Sequence, residues 1–352
     1  MNSINRIGVV SLYGHYNYGN RLQSKAVCKI IEQHGCEPVI INCLQPLTKR
    51  FKKAIKLKLG LQNDPSSLMR DIRSKRFLKF SEYDEVLNIS SRELSSKLCD
   101  AFVVGSDQIW NPDVLRPRLC FLEFAEKRQR IALAPSFGCN EIPNYMIKTY
   151  RNGLLGFDNL SVREHDGVDI IEQISGQKAV HLCDPVFGLN KSDWISISSD
   201  DVTPEEDYIL VYSLGNTPQD CQLKINRLAK TINARIVKLS DKSRFDEIDP
   251  GPSEFISLIR HAKCVVTDSF HCAAFSIIMN TPFFVFRRIE KVDTFSRLMS
   301  LLKMFDMEEA QINKSEQALD ISRLHKVNND ILVRENDRIH KYIQCELNRA
   351  LK

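Results

Sequence analysis

No stretch of this chain approaches the ~18 consecutive apolar residues that a membrane span requires. The opening MNSINRIGVVSLYG lacks the long apolar run of a secretory signal. The 11 cysteines include no C-x-x-C pair, so neither a redox dithiol nor the common zinc spacing is indicated. Several sit inside apolar runs (Cys28, Cys99, Cys264, Cys272), as free buried thiols do in a reducing compartment. A cytoplasmic location is therefore expected. There is no G-x-G-x-x-G turn, and no acid follows the second expected strand in the ribose-binding place, which argues against a dinucleotide. No repeat of solenoid period is present. The net charge of +5 is too mild to imply nucleic acid, because much of the excess lies in one segment.

What is present is an ordinary globular composition, 43% hydrophobic and 26% charged, over 352 residues. That length suits two domains. Arg6–Leu12 reads as a strand, Tyr13–Asn20 as a Gly- and Asn-rich turn, Arg21–His34 as a helix and Glu37–Cys43 as a second strand. This βαβ opening predicts a doubly wound parallel sheet. Gly14 and Gly19 either face a ligand or merely permit the turn. Strands are also expected at Leu98–Val104, Arg130–Ser136 and Tyr208–Leu214, each running into a small polar turn, and at Asn159–Glu164, which ends on a charged pair. The polar stretch 190–207 reads as a linker. Residues 1–189 and 208–330 then form two Rossmann-like domains, and 331–352 a C-terminal helix. Such a pair is similar to the GT-B arrangement of glycosyltransferases, with substrate in the inter-domain cleft.

The most chemically suggestive stretch is Cys264–Met279, CVVTDSFHCAAFSIIM. A β-branched strand passes through Thr267, Asp268 and Ser269 into an apolar helix. In an open α/β fold, ligands collect at that edge. The helix N-terminus suits a carboxylate or phosphate. Ser269 or Asp268 would cap the helix, and His271 adds a titratable imidazole. The plainer reading is a capped helix with a hydrogen-bonded core histidine. In the turn Gly105–Asn111, Asp107 and Gln108 suit sugar hydroxyls, or Asp107 acts as a base, or the turn is simply an Asx turn. Trp110 suits the core better than a stacking role. Arg163 beside Glu164 is either a salt bridge on a sheet edge or an anion-binding fork. Lys49–Lys58 carries six basic residues and no acid, with apolar residues between. It suits anionic lipid headgroups at the inner membrane face, or is a solvated excursion.

Seven motifs in order are similar to the polysaccharide pyruvyl transferase family. They are YGNRLQ (18–23), VVGSDQIWNP (103–112), SFG (136–138), SVRE (161–164), DPVF (184–187), GPSEFISLI (251–259) and VTDSFHCAAFSI (266–277). The resemblance runs from residue 6 to about residue 303. Cys272 and Asn20 depart from the residues common in relatives. The resemblance implies phosphoenolpyruvate as co-substrate, with no cofactor and no metal. It implies pyruvate-ketal formation across two hydroxyls of a hexose in a capsule, exopolysaccharide or cell-wall precursor, lipid-linked or not. It casts His271 as acid/base and Arg163, Ser269 and Arg297 as donor ligands, with the first domain on the acceptor side and the second on the donor side. Asp107, Ser106 and Gln108 would serve the acceptor, Asp107 also as a base, and Asn17 and Gly19 would line the cleft. The competing readings are a GT-B glycosyltransferase using a nucleotide sugar and a non-catalytic capsule-assembly protein at the membrane.

Overall fold

The computed structural model describes residues 4–13, 17–44, 66–240, 248–288, 295–313 and 318–352. Gly14 and the basic segment Lys49–Lys58 lie outside the described residues. The chain opens with β1 (Arg6–Val10), α1 (Tyr18–Gln33) and β2 (Glu37–Cys43), and the two strands pair in parallel. The helix begins three residues earlier than its apolar spacing suggests. The Asn17 side chain accepts from the Asn20 N–H (3.0 Å) and so draws Tyr18–Asn20 into the first turn.

Then follow α2 (Ser66–Phe80), β3 (Val86–Ile89), β4 (Ala101–Val104), α3 (Pro117–Cys120), β5 (Arg130–Ala132), α4 (Ile147–Leu154), β6 (Leu160–Val162), α5 (His165–Ser175) and β7 (Ala179–His181). The first sheet has the order β3-β2-β1-β4-β5 and is wholly parallel. The β6–β7 ribbon continues it through the Ser161 side chain and an Arg163 N–H that donates to the Pro135 carbonyl (3.2 Å). The Ser161 hydroxyl donates to the Ala132 carbonyl (2.6 Å) and accepts from the Ala134 N–H (2.9 Å), standing in for a ladder bond. Trp110 is core: it is fully buried among Phe121, Phe137 and Phe157, and its Nε1–H donates to the Cys120 carbonyl.

The stretch read as a linker holds a short helix, α6 (Lys191–Ser196), capped by Asn190. Trp194 pins it, fully buried, with its Nε1–H on the Val186 carbonyl and its ring edge-on to Phe275. The second unit runs β8 (Tyr208–Ser213), α7 (Gln219–Thr231), β9 (Arg235–Ser240), α8 (Pro252–His261), β10 (Cys264–Thr267), α9 (Phe270–Met279), β11 (Phe283–Val285) and α10 (Phe295–Met304). Its parallel sheet has the order β11-β10-β8-β9. The final helix, α11 (Asn329–Ala350), returns to the first unit, where Arg349 donates to the carbonyls of Arg128 and Arg130 (2.8 and 2.9 Å).

The two Rossmann-like units share one core. A single buried cluster includes Ile7 and Val9 of β1 together with Leu210, Val265 and Phe283 of the second sheet. At the seam Tyr18 stacks flat on Phe255 (4.2 Å between centroids, 3°), and its hydroxyl donates to the Pro250 carbonyl (2.8 Å). Tyr212 meets Tyr18 edge-on. This arrangement fixes one sheet relative to the other and turns their carboxyl edges toward a common site. In variants that keep only Trp110 or only Trp194, the urea transitions followed by fluorescence should therefore coincide. Phe255→Ala should cost about 3–5 kcal/mol. Separate midpoints for the two tryptophans in the Phe255-containing protein would contradict a shared core.

Candidate functional site

Five loops at the carboxyl edges of the two sheets converge, where open α/β sheets bind ligands. They follow β1, β4, β8, β10 and β11. Between them lies a cavity of about 120 Å³, bordered by Asn17, Asp107, Gln108, Leu214, Asp268, Ser269, Phe270, His271, Arg288, Arg297 and Leu298.

The floor on the second unit's side is the N-terminus of α9. Ser269 has extended backbone, and its hydroxyl accepts from the Cys272 N–H (3.4 Å), so Ser269 is the cap. Asp268 instead ties the neighbouring loop. It accepts from the N–H groups of Leu214 (2.8 Å) and Gly215 (3.1 Å) and lies 3.8 Å from Arg288. Burial pushes the Asp268 carboxyl up, against those hydrogen bonds and Arg288.

His271 projects from the first turn of α9 and is almost wholly buried. Two neighbours define the ring position. Gly19 of α1 lies so close that an added Cβ would collide with Nδ1. On the other side Nε2 lies 3.4 Å from Asp184 Oδ2, within ion-pair reach but short of hydrogen-bond alignment. Asp184 starts the turn Pro185–Gly188 that follows β7. Its Oδ1 accepts from the Val186 N–H (3.1 Å). Its Oδ2 accepts from Arg163 Nη1 (2.7 Å) and the Ser106 hydroxyl (3.3 Å). Burial alone would raise this carboxyl, but His271 and Arg163 outweigh burial and hold it well below the usual carboxylate range.

Arg163 is the hub beneath the cavity. Besides Asp184, it meets Glu164 (3.3 Å) and Asp107 (3.5 Å), and its guanidinium carbon lies 4.5 Å from the Phe270 ring centre. Burial would lower its pKa, but the three carboxylates reverse this and raise it. Glu164 in turn accepts from the Ser136 hydroxyl. Arg297, in the first turn of α10, reaches the cavity from the far side. With its amide oxygen turned toward the guanidinium, Gln108 accepts from both terminal nitrogens of Arg297 (2.9 and 3.1 Å). Burial, and then the like charge of Arg163, lower the Arg297 pKa.

Six of the sequence-derived site residues therefore meet in one cavity: Asn17, Asp107, Gln108, Ser269, His271 and Arg297. Arg297 does so despite sitting on an amphipathic helix. Three others do not border it. Arg163 lies beneath it with three carboxylates already around it, which revises its expected part as a direct donor ligand. Ser106, expected on the acceptor side, is sealed in the interior: its hydroxyl donates to the Ala134 carbonyl (2.7 Å) and its N–H to Gln23 Oε1 (2.7 Å). Gly19 supports His271 from behind. Sequence reasoning missed Asp184, Asp268 as a loop tie, and Arg288. Asp184 stands in the motif DPVF, to which the sequence assigned no role. Arg288 ends the run FFVFRR, and the strand-then-polar-edge pattern used elsewhere would have found it. Among the described residues, no group of three or more His, Cys, Asp or Glu is placed to hold a metal ion, and no helix is long and apolar enough to cross a membrane.

Arg163→Met should cost about 3–5 kcal/mol in urea denaturation, because it leaves buried carboxylates uncompensated. A loss under about 1 kcal/mol would mean the cluster is not coupled to folding. Gly19→Ala should lower Tm even though Ala is the better helix former by about 1 kcal/mol. A raised Tm would remove the contact with His271.

The family described as polysaccharide pyruvyl transferase matches residues 17–288. No curated protein matches the chain. Among solved structures, similar ones include UDP-GlcNAc 2-epimerase from Methanocaldococcus jannaschii (12% identity, TM-score 0.47, covering 94% of this chain and 92% of that one). Another is the N-terminal domain of Candida albicans trehalose-6-phosphate phosphatase (10%, 0.45, 98% and 93%). A third is the Glycyrrhiza uralensis enzyme UGT73P12 (11%, 0.43, 98% and 91%). The family match spans most of the chain and includes the loops that carry Asp107, Asp184, Ser269 and His271, so this chain belongs to the polysaccharide pyruvyl transferase family.

Proposed function

We propose that the protein transfers the enolpyruvyl group of phosphoenolpyruvate to two hydroxyls of a hexose in a surface-polysaccharide precursor, forming a pyruvate ketal and releasing phosphate. The observation that carries this reading is the content of the cavity. Two guanidinium groups, Arg288 and Arg297, and the N-terminus of α9 at Ser269 face one space that also holds the His271 imidazole. A carboxylate and a phosphate on three carbons call for that set. The volume of about 120 Å³ lies below the ~300 Å³ at which sites for larger ligands begin, which favours a small phosphorylated acid over a nucleotide sugar.

The chemistry assigns work to each residue. Arg297, Arg288 and the helix N-terminus hold the donor. His271 gives a proton to the methylene carbon, and the double-bond electrons form the new C–H bond. The adjacent carbon becomes oxocarbenium-like and is attacked by one sugar hydroxyl, whose proton returns to His271. The carbon–oxygen bond to phosphate then breaks and the second hydroxyl closes the ketal, its proton leaving with phosphate. Asp107 and Gln108, on the first unit, hold the acceptor hydroxyls. Arg163 supplies no charge to the donor; it keeps Asp107 and Asp184 in place. The acceptor is written as a hexose-containing saccharide, lipid-linked or free.

Phosphate release from phosphoenolpyruvate should require a hexose-containing acceptor and vanish in His271→Ala. Arg297→Met should weaken phosphoenolpyruvate binding by about 10- to 100-fold in calorimetry. If no acceptor elicits phosphate release while the protein binds a nucleotide sugar, the proposal is wrong.

A further inference from the structure

We propose that Asp184 is a positioning residue that keeps a proton on Nε2 of His271, so that Nδ1 is the ring nitrogen that exchanges protons with the substrate. The pyruvyl-transfer part rests on the function proposed above; the tautomer does not.

The two ring nitrogens have different surroundings. Nε2 is sealed from solvent, and Asp184 Oδ2 lies 3.4 Å from it. A carboxylate in that place favours Nε2–H, since it can only accept. Asp184 cannot turn away. Its Oδ1 is held by the Val186 N–H, its Oδ2 by Arg163 and the Ser106 hydroxyl, and the residue is fully buried. Gly19 packs against the ring beside Nδ1, and only Nε2 of the two nitrogens is both sealed from solvent and without a hydrogen-bond partner. The ring borders the cavity, along with the charged groups Asp107, Asp268, Arg288 and Arg297. Because Nε2 is closed off, the ring's exchange with the cavity runs through Nδ1.

In the forward reaction the imidazolium gives its Nδ1 proton to the methylene carbon. The neutral ring that results has its remaining proton on Nε2, toward Asp184. Nδ1 then accepts the proton of the attacking hydroxyl, and the imidazolium is restored. The fixed partner on Nε2 prevents the tautomer in which Nδ1–H could not accept.

The test is long-range ¹H–¹⁵N correlation NMR of the imidazoles, with no substrate present and over a pH titration, His271 being assigned by its loss in His271→Gln. The expected neutral form carries its proton on Nε2. A neutral form protonated on Nδ1 overturns the proposal, and so does an imidazolium that persists throughout the titration, since it cannot release the proton. In Asp184→Leu no carboxylate faces Nε2. The neutral ring should then lose its fixed Nε2–H form and populate Nδ1–H. Turnover of phosphoenolpyruvate should fall about 10- to 100-fold in kcat, with little change in KM and an altered pH profile. A folded Asp184→Leu protein with an unchanged tautomer also overturns it. If that variant does not fold, the wild-type spectrum decides alone. A protein that shows the expected tautomer but releases no phosphate from phosphoenolpyruvate loses the proposed function and keeps the Asp184–His271 assignment.

Discussion

One positive charge, the guanidinium of Arg163, sits under the site with carboxylates from three loops around it: Asp107 after β4, Glu164 after β6 and Asp184 after β7. Taking such charges out of water is costly, and only mutual compensation makes it tolerable. No member can move without exposing the others to an unbalanced field. The loops are thereby tied at their tips, where sheets of this kind are otherwise loosest. Asp184 passes the constraint across the seam to His271, which belongs to the other half of the molecule.

The same compensation decides where the cavity's charge comes from. Arg163 is already surrounded by carboxylates, and the positive groups that border the cavity are Arg288, Arg297 and the N-terminus of α9. Arg297 is held by the Gln108 amide, and Arg288 stands beside Asp268, which also ties the loop after β8. All of these but Gln108 come from the second unit. Their alignment depends on the seam around Tyr18 and Phe255, a packed aromatic contact rather than an open hinge. The small volume of the cavity follows from that close approach.

Much of this was legible along the chain. Strands that run into small polar turns mark a sheet edge, and that pattern led to Asp107, Ser269 and His271 before any contact was known. The start of α1 was misjudged because apolar spacing does not see a cap: Asn17 extends the helix through a single side-chain hydrogen bond. Ser106 lay in the right turn but faces the interior, because sequence places a turn without orienting each side chain in it. Arg163 was read with Glu164 beside it, which the structure keeps; Asp107 and Asp184 are distant in sequence and join it only in the fold. The Lys49–Lys58 segment belongs to the described sequence and not to the described structure.

What the sequence determined by itself is the alternation of β-branched runs, polar turns and apolar helices, and with it two parallel sheets with ligand-facing edges. These are local consequences of propensity and period. What only the tertiary structure decided is which charges compensate one another. Asp184 lies 21 positions from Arg163 and 87 from His271, so nothing local distinguishes it from any acid before a proline. Its role arises when two sheets bring their edges together in a medium of low polarity, where an acid and its partners must meet or pay the cost of burial alone.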